Sequence, residues 1–171
     1  NIKAYIMLTC ASLFWAGNFI VGKYAFLSEI PPLSLVFYRW TLVWIILLPF
    51  TYKEIIRHKD IIFNNLTLLF FLGFTSVGLF NSFTYLSLIH TQVINASLFN
   101  TAIPAIIILL CFLFKIEKTN KFQILGLIIS VGGILAIITK LKLNILLSLN
   151  FNKGDLIMIG GVLTWGIYST L

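Results

Sequence analysis

Acidic residues are scarce in this sequence, and charged residues of either sign are few. Only five of the 171 residues are Asp or Glu, and charged residues make up 10% of the chain against 60% that are hydrophobic. A soluble domain normally has about a quarter of its residues charged, and a chain of this length leaves much of its surface in water. The composition therefore excludes a soluble enzyme, a nucleic-acid-binding domain and a secreted disulfide scaffold.

Clusters of catalytic or metal-binding residues are also missing. Cys10 and Cys111 lie inside apolar runs, at a spacing that fits neither a metal site nor a redox pair, so we interpret both as apolar core residues. The sequence has no glycine-rich phosphate loop, and His58 and His90 lie in loops. We therefore predict no catalytic residue, no metal and no cofactor, and the protein is not expected to be an enzyme.

Long apolar runs dominate the sequence instead. A helix crosses the hydrocarbon core of a bilayer with about 20 mostly apolar residues. Five complete runs fit this length, and a sixth begins near Asp155 and is still incomplete at Leu171: about 4–27, 33–52, 66–88, 93–114, 122–139 and 154–171. They predict an all-α, polytopic transmembrane helix bundle with a polar loop from Lys53 to Asn65. We expect the chain to be a fragment that continues beyond Leu171.

The basic residues between the runs predict an orientation. Seven of them fall on one side of the membrane and three on the other, the first group being Lys3, Lys53, Arg57, Lys59, Lys115, Lys118 and Lys121, and the second Lys140, Lys142 and Lys153. Cytoplasmic loops carry the excess of Lys and Arg. We therefore predict a multi-pass protein of the cell (plasma or inner) membrane with a cytoplasmic N-terminus.

A short internal repeat links the first run to the last. Laying Trp165 over Trp15 aligns the small and aliphatic residues around both tryptophans. An odd number of spans in each repeat forces the second copy to insert upside down, a plan typical of secondary transporters. This pattern predicts a first repeat at 4–139, an outer linker at 140–153 and the start of an inverted second repeat at 154–171.

Polar side chains inside the predicted spans collect in their outer halves. None of the five acidic residues lies deep in a complete span, which argues against a carboxylate proton relay in this part of the chain. A polar group in lipid needs a partner or a cavity, so these side chains predict a polar vestibule in the outer half of the bundle: Asn18, Lys23, Arg39, Asn81, Tyr85, Asn95, Ser97 and Asn100.

Six residues are the predicted substrate contacts: Trp15, Asn18, Arg39, Asn81, Tyr85 and Asn100. The aromatic residues would form a wall, the asparagines would donate and accept hydrogen bonds, and Arg39 would offer a planar fork to an anion or carboxylate. Alternatives stay open. Arg39 could extend to the headgroups or pair with Glu29, and the asparagines could join helices. For Lys23 the sequence favours snorkelling to the outer interface. With both cations facing inward, anionic or zwitterionic substrates would be favoured.

Several motifs in order along the chain resemble a known family. The run Trp15-Ala16-Gly17-Asn18-Phe19, followed by Lys23, Pro31-Pro32 and Tyr38-Arg39-Trp40, resembles the opening of EamA-type members of the drug/metabolite transporter superfamily. The resemblance continues through Asn95-Ala96-Ser97-Leu98, Pro104, Gly132-Gly133 and Gly154-Asp155. It implies a ten-span transporter made of two inverted five-span repeats, with both termini cytoplasmic, that moves small metabolites and often exports amino acids or related compounds.

The sequence therefore predicts a secondary transporter that works by alternating access between inverted repeats. Its expected partners are a small-molecule substrate and the lipid bilayer, with no nucleic acid. The second repeat would come from a missing C-terminal half, or from a homodimer if the chain ends at Leu171. Two alternatives stay open: a non-transporting structural membrane protein and a membrane-embedded lipid-processing enzyme.

Overall fold

Helices account for all the regular structure in the part of the chain that is described. The computed structural model describes residues 2–116, 120–138 and 152–171. Nine α-helices and one π-helical segment occur in these ranges: α1 Ile2–Leu27, α2 Pro32–Arg57, α3 Lys59–Asn64, α4 Leu66–Gly73, the π-segment Phe74–Phe80, α5 Asn81–His90, α6 Val93–Asn100, α7 Ile103–Leu113, α8 Lys121–Ile138 and α9 Lys153–Thr170. The predicted linker 140–153 lies outside the described residues except for its last two positions.

Four helical stretches among the described residues are long and apolar enough to cross a membrane: Ile2–Leu27, Pro32–Arg57, Leu66–His90 and Val93–Leu113. A shorter apolar stretch, Lys121–Gly133, lies in α8. Large apolar side chains cover the outside of the bundle, and Phe14 and Phe50 are 82% and 80% exposed. Such a surface is favourable in contact with lipid and unfavourable in contact with water. The predicted all-α, polytopic helix bundle is confirmed.

The polar loop predicted from Lys53 to Asn65 is wrong for most of its length. α2 continues to Arg57, and after one residue α3 begins at Lys59. Charged side chains with long stems tolerate helical backbone well, and Glu54 accepts a hydrogen bond from Arg57 one turn later at 3.2 Å. The polar residues between Lys53 and Asn65 indicate that this stretch is exposed, and they do not indicate a loss of helical structure.

Two helix boundaries follow from proline. Pro31 is the extended residue before α2, and Pro32 begins the helix. In the fourth span, the helix is interrupted between α6 and α7, so that Pro104 is the second residue of α7. Proline fits the first turn of a helix because the first N–H groups have no partner there.

The centre of packing is α9, where the predicted second repeat begins. α9 contacts α5, α6, α7 and the π-segment. Leu88 on α5 and Met158 on α9 are fully buried, and Val162 is 1% exposed. The most completely buried surface of the described chain therefore joins the third and fourth predicted spans to the start of the sixth.

The N-terminus of α9 docks onto the end of α5 through polar contacts. Thr91 Oγ1 donates a hydrogen bond to Asp155 Oδ1 at 2.7 Å, and the Asn152 side chain donates to the carbonyl of His90. Asp155 is buried, with 7% of its surface exposed. A Cβ on Gly154 would lie 2.6 Å from the backbone oxygen of Ser87. The two helix ends therefore meet with backbone in direct contact.

Lys23 caps the same end of α5, so the expected snorkelling of its side chain is wrong. Its Nζ donates hydrogen bonds to the carbonyls of Leu88 at 2.6 Å and Thr91 at 3.1 Å. The last carbonyls of a helix have no partner within the helix and carry its negative dipole end. A lysine from the neighbouring helix is better satisfied there than in the headgroups.

Gly154→Ala should lower the free energy of unfolding by about 2 kcal/mol, a typical cost of overpacking. The added Cβ would meet the Ser87 oxygen and the Thr91 nitrogen, and backbone atoms shift less readily than the end of a flexible side chain. Gly160→Ala is the matched control on the same helix, because its nearest neighbour would be the Phe83 ring at 3.7 Å, an ordinary contact. Unfolding of the intact protein in detergent micelles measures both; equal losses in the two variants would contradict the close docking.

Candidate functional site

Arg39 joins three helices through a network of hydrogen bonds. From α2, its Nη1 donates to Asn18 Oδ1 on α1 and to the Tyr85 hydroxyl on α5 at 2.5 Å, and its Nη2 donates to Asn81 Oδ1 at 2.6 Å. The Tyr85 hydroxyl in turn donates to Asn18 Oδ1 at 2.5 Å. Arg39 therefore pairs with neutral oxygens, and among the described residues its partners do not include Glu29, one of the expected alternatives.

The spacing along α5 explains why these partners converge. Asn81 and Tyr85 are four residues apart and so share one face of the helix. The guanidinium carbon lies 5.4 Å from the centre of the Tyr85 ring and 5.3 Å from that of Trp40. A cation over an aromatic face is favoured by the ring's electrons, most of all away from water. The hydrogen bonds and rings together hold the guanidinium in one position.

A π-segment positions Asn81 itself. The Asn81 side-chain nitrogen donates to the carbonyls of Ser76 and Val77, both at 3.0 Å, within Phe74–Phe80. π-segments are rare in proteins and are frequent at functional sites. The asparagine amide thus bonds to the π-segment while its oxygen accepts from Arg39, so the backbone of this span and the cation are directly connected. No pattern in the sequence predicted the π-segment.

A cavity of about 500 Å³ opens beside the guanidinium. Of the six predicted contacts, four line it: Trp15, Asn18, Arg39 and Asn81. Tyr85 is 2% exposed and does not line the cavity, but its hydroxyl accepts a hydrogen bond from Arg39. Asn100 neither lines this cavity nor bonds to the cluster, and its buried Oδ1 has no hydrogen-bond partner among the described residues.

Aromatic residues that the sequence analysis did not select complete the wall. Trp165 lies with its ring centre 4.6 Å from that of Phe80, 5.2 Å from that of Tyr168 and 5.6 Å from that of Trp15. All four line the cavity, as does Trp40. The alignment of Trp165 with Trp15 was the one sequence signal that could have added Trp165 to the predicted site.

A buried layer lies one helical turn beyond the cavity lining on α1. Gly22 packs so tightly on α5 that a Cβ there would lie 2.7 Å from the Tyr85 ring and 3.1 Å from Leu88. Near the ends of α1 and α5 lies a separate polar pocket of about 400 Å³ lined by Lys23, His90, Asn95 and Asn152, among others. Along α1, Gly22 therefore follows the cavity residue Asn18 and precedes the pocket residue Lys23.

Comparison with known proteins identifies the class of membrane protein. Residues 2–139 match the EamA-like transporter family, and the chain belongs to this family. Over its whole length it is 31% identical to an uncharacterized transporter of Archaeoglobus fulgidus and 28% identical to the uncharacterized transporter YyaM of Bacillus subtilis. The chain spans 57% and 56% of the lengths of these relatives. No solved structure matches it significantly.

Family membership and apolar helices together define a multi-pass membrane protein of a transporter family. The cavity around Arg39 is formed by residues of three predicted spans and of α9. Among the described residues, no group of three or more His, Cys, Asp or Glu could hold a metal ion. The described part of the chain therefore contains a cavity of small-molecule size beside a cation, and no such group of metal ligands.

Tyr85→Phe should lower the free energy of unfolding by about 1–3 kcal/mol, the usual effect of leaving buried hydrogen-bonding groups without a partner. The change removes the hydroxyl that accepts from Arg39 and donates to Asn18 while it keeps the ring. Tyr24→Phe is the matched control, because Tyr24 is 67% exposed, and it should change stability by less than about 0.5 kcal/mol. Equal stabilities for the Tyr85 variant and wild type, in micelles, would contradict the network.

Proposed function

We propose that this protein is part of a secondary transporter for small metabolites, such as amino acids or related compounds, and that the solute binds beside Arg39. The observation that carries the proposal is a guanidinium that lines a cavity of about 500 Å³ and bonds to neutral oxygens only. Sites for small molecules are concave, mostly apolar and of this size, with a few placed polar groups. An arginine inside a membrane is costly and usually serves function.

The contact between Trp15 and Trp165 supports an inverted-repeat mechanism. The two tryptophans align in the internal repeat, and their ring centres lie 5.6 Å apart. Equivalent residues of two repeats touch each other only where they lie near the symmetry axis that relates the repeats. Transporters of this plan bind their solute at the repeat interface near the midplane, which is where the cavity would lie.

The layer formed by Gly22, Tyr85 and Leu88 supports alternating access. We infer that it is the closed gate on the side where α1 ends, and that the transporter opens it when the repeats rock against each other. Tyr85 belongs both to this layer and to the network of Arg39. A solute that binds Arg39 therefore acts on a residue of the gate.

The basic residues give the proposed orientation. With the N-terminus in the cytoplasm of a cell whose plasma or inner membrane holds the protein, the layer lies towards the outside. The cavity is then closed to the outside in the described conformation. The positive-inside distribution of Lys and Arg supports this assignment.

Arg39→Gln should reduce transport by the intact protein to background while the protein stays folded and inserted. Glutamine keeps hydrogen-bonding capacity but removes the charge that attracts the solute. Counterflow of labelled amino acids and carboxylates into proteoliposomes measures the rate. Arg57→Gln is the control, because Arg57 is exposed and pairs with Glu54 at the surface, and its rates should equal wild type. Unchanged rates in the Arg39 variant would refute the role of this residue.

A cysteine at Ala11 distinguishes a transporter from a structural membrane protein whose polar residues only join helices. In a background without Cys10 and Cys111, Ala11→Cys should react with a charged thiol reagent because Ala11 lines the cavity. Ile20→Cys is the control on the same helix; its side chain is 51% exposed on the lipid-facing side and should not react. Absence of labelling at position 11 from either side of the membrane would favour the structural alternative.

A further inference from the structure

The cavity beside Arg39 has hydrogen-bond donors without acceptors. A guanidinium carries five N–H donors, and three hydrogen bonds from Arg39 to described residues are present. Two of its donors therefore have no acceptor among the described residues. Leaving a donor unpaired away from water is costly, so an acceptor inside the cavity that Arg39 lines would be favoured.

The oxygen atoms around the guanidinium are already occupied. Asn18 Oδ1 and Asn81 Oδ1 accept from Arg39, and the Asn81 nitrogen donates to the π-segment. None of the described residues that line the cavity is acidic. The buried acid Asp155 accepts from Thr91 and is not among the lining residues. An ammonium group in the cavity would therefore meet the charge of Arg39 and no carboxylate.

Lys23, the second cation of the predicted vestibule, does not add to the charge that lines the cavity. Lys23 donates to the carbonyls of Leu88 and Thr91 and lines the separate polar pocket near the ends of α1 and α5. Arg39 is the only cationic residue that lines the cavity among the described residues. The described part of the site thus offers one positive charge, which a single negative charge on the solute neutralises.

Aromatic side chains form much of the rest of the wall. Trp165 packs against Phe80, Tyr168 and Trp15 with ring centres 4.6 to 5.6 Å apart, which leaves ring faces and edges beside the cavity. Aromatic surfaces of this kind bind flat apolar groups. The wall and the cation lie at the same cavity, so one solute of moderate size can contact both.

We propose that the solute is an organic monoanion, a carboxylate with an aromatic or bulky apolar body and no ammonium group. The carboxylate accepts hydrogen bonds from Arg39, and the body packs against the ring of Trp165. This inference rests on the proposed function and narrows its substrate class. Among small metabolites it favours simple carboxylic acids over amino acids, which carry an ammonium group that this site does not pair.

Four compounds that share a phenylethyl group test the charge class: 3-phenylpropanoate, 3-phenylpropanamide, phenylalanine and phenethylamine. Calorimetric titration of the intact protein in micelles at neutral pH gives each dissociation constant. The acid should bind at least about tenfold more tightly than the amide or phenylalanine, since a hydrogen-bonded charge is worth that factor or more. Phenethylamine should bind most weakly.

Two variants connect the selectivity to Arg39. Arg39→Gln should remove the advantage of the acid over the amide while the amide still binds, so the amide reports that the cavity is intact. Arg57→Gln, which changes an exposed cation, should leave the ratio of acid to amide at the wild-type value.

The outcomes separate this inference from the proposed function. Binding of phenylalanine as tight as that of the acid, tighter binding of the amine, or no binding of the acid at millimolar concentration would each overturn the inference. If amino acids cross proteoliposomes at rates that depend on Arg39 while the acids do not, the transporter stands and the charge class is wrong. If the acid binds with the expected selectivity but no solute crosses, the anion site stands and the proposed function fails.

Discussion

The structure depends on how a guanidinium is accommodated inside an apolar helix bundle. An isolated charge in the membrane costs several kcal/mol, and a neighbouring carboxylate would be the simplest way to reduce this cost. Arg39 instead bonds to the amide oxygens of Asn18 and Asn81 and to the hydroxyl of Tyr85. These partners replace part of the water that the charge has lost, but they do not neutralise it. A positive charge is therefore kept beside a cavity, where an anion can complete its coordination.

This one requirement determines much of the surrounding architecture. Asn18, Arg39 and Asn81 belong to three helices, so the network sets how α1, α2 and α5 approach each other. The π-segment places carbonyls where the Asn81 amide reaches them, and that contact orients the asparagine oxygen towards the cation. Tyr85 links the network to the packed layer at Gly22. The proposed binding at the cation and the proposed gate therefore share a side chain.

Part of this arrangement could be predicted from the sequence. Apolar runs of membrane length predicted the helix bundle, and the cost of polar groups in lipid indicated that Asn18, Arg39, Asn81 and Tyr85 belong together. Periodicity could not reveal the π-segment, which depends on tertiary contacts. The sequence also gave no reason to separate Asn100 from the other five, since depth in a span does not determine which face of the helix meets the cavity. The helical stretch from Lys53 to Asn64 was missed because charge indicates exposure and not loop structure.

A structure of the intact protein with 3-phenylpropanoate bound tests the central claim most directly, because it shows where the acceptor for Arg39 lies. Our account predicts the carboxylate within hydrogen-bonding distance of the Arg39 guanidinium, with the ring against Trp165. It also predicts that the bond between Arg39 and Tyr85 lengthens or breaks as the carboxylate competes for the same donor. A ligand bound elsewhere, with Arg39 still held only by Asn18, Asn81 and Tyr85, would contradict it.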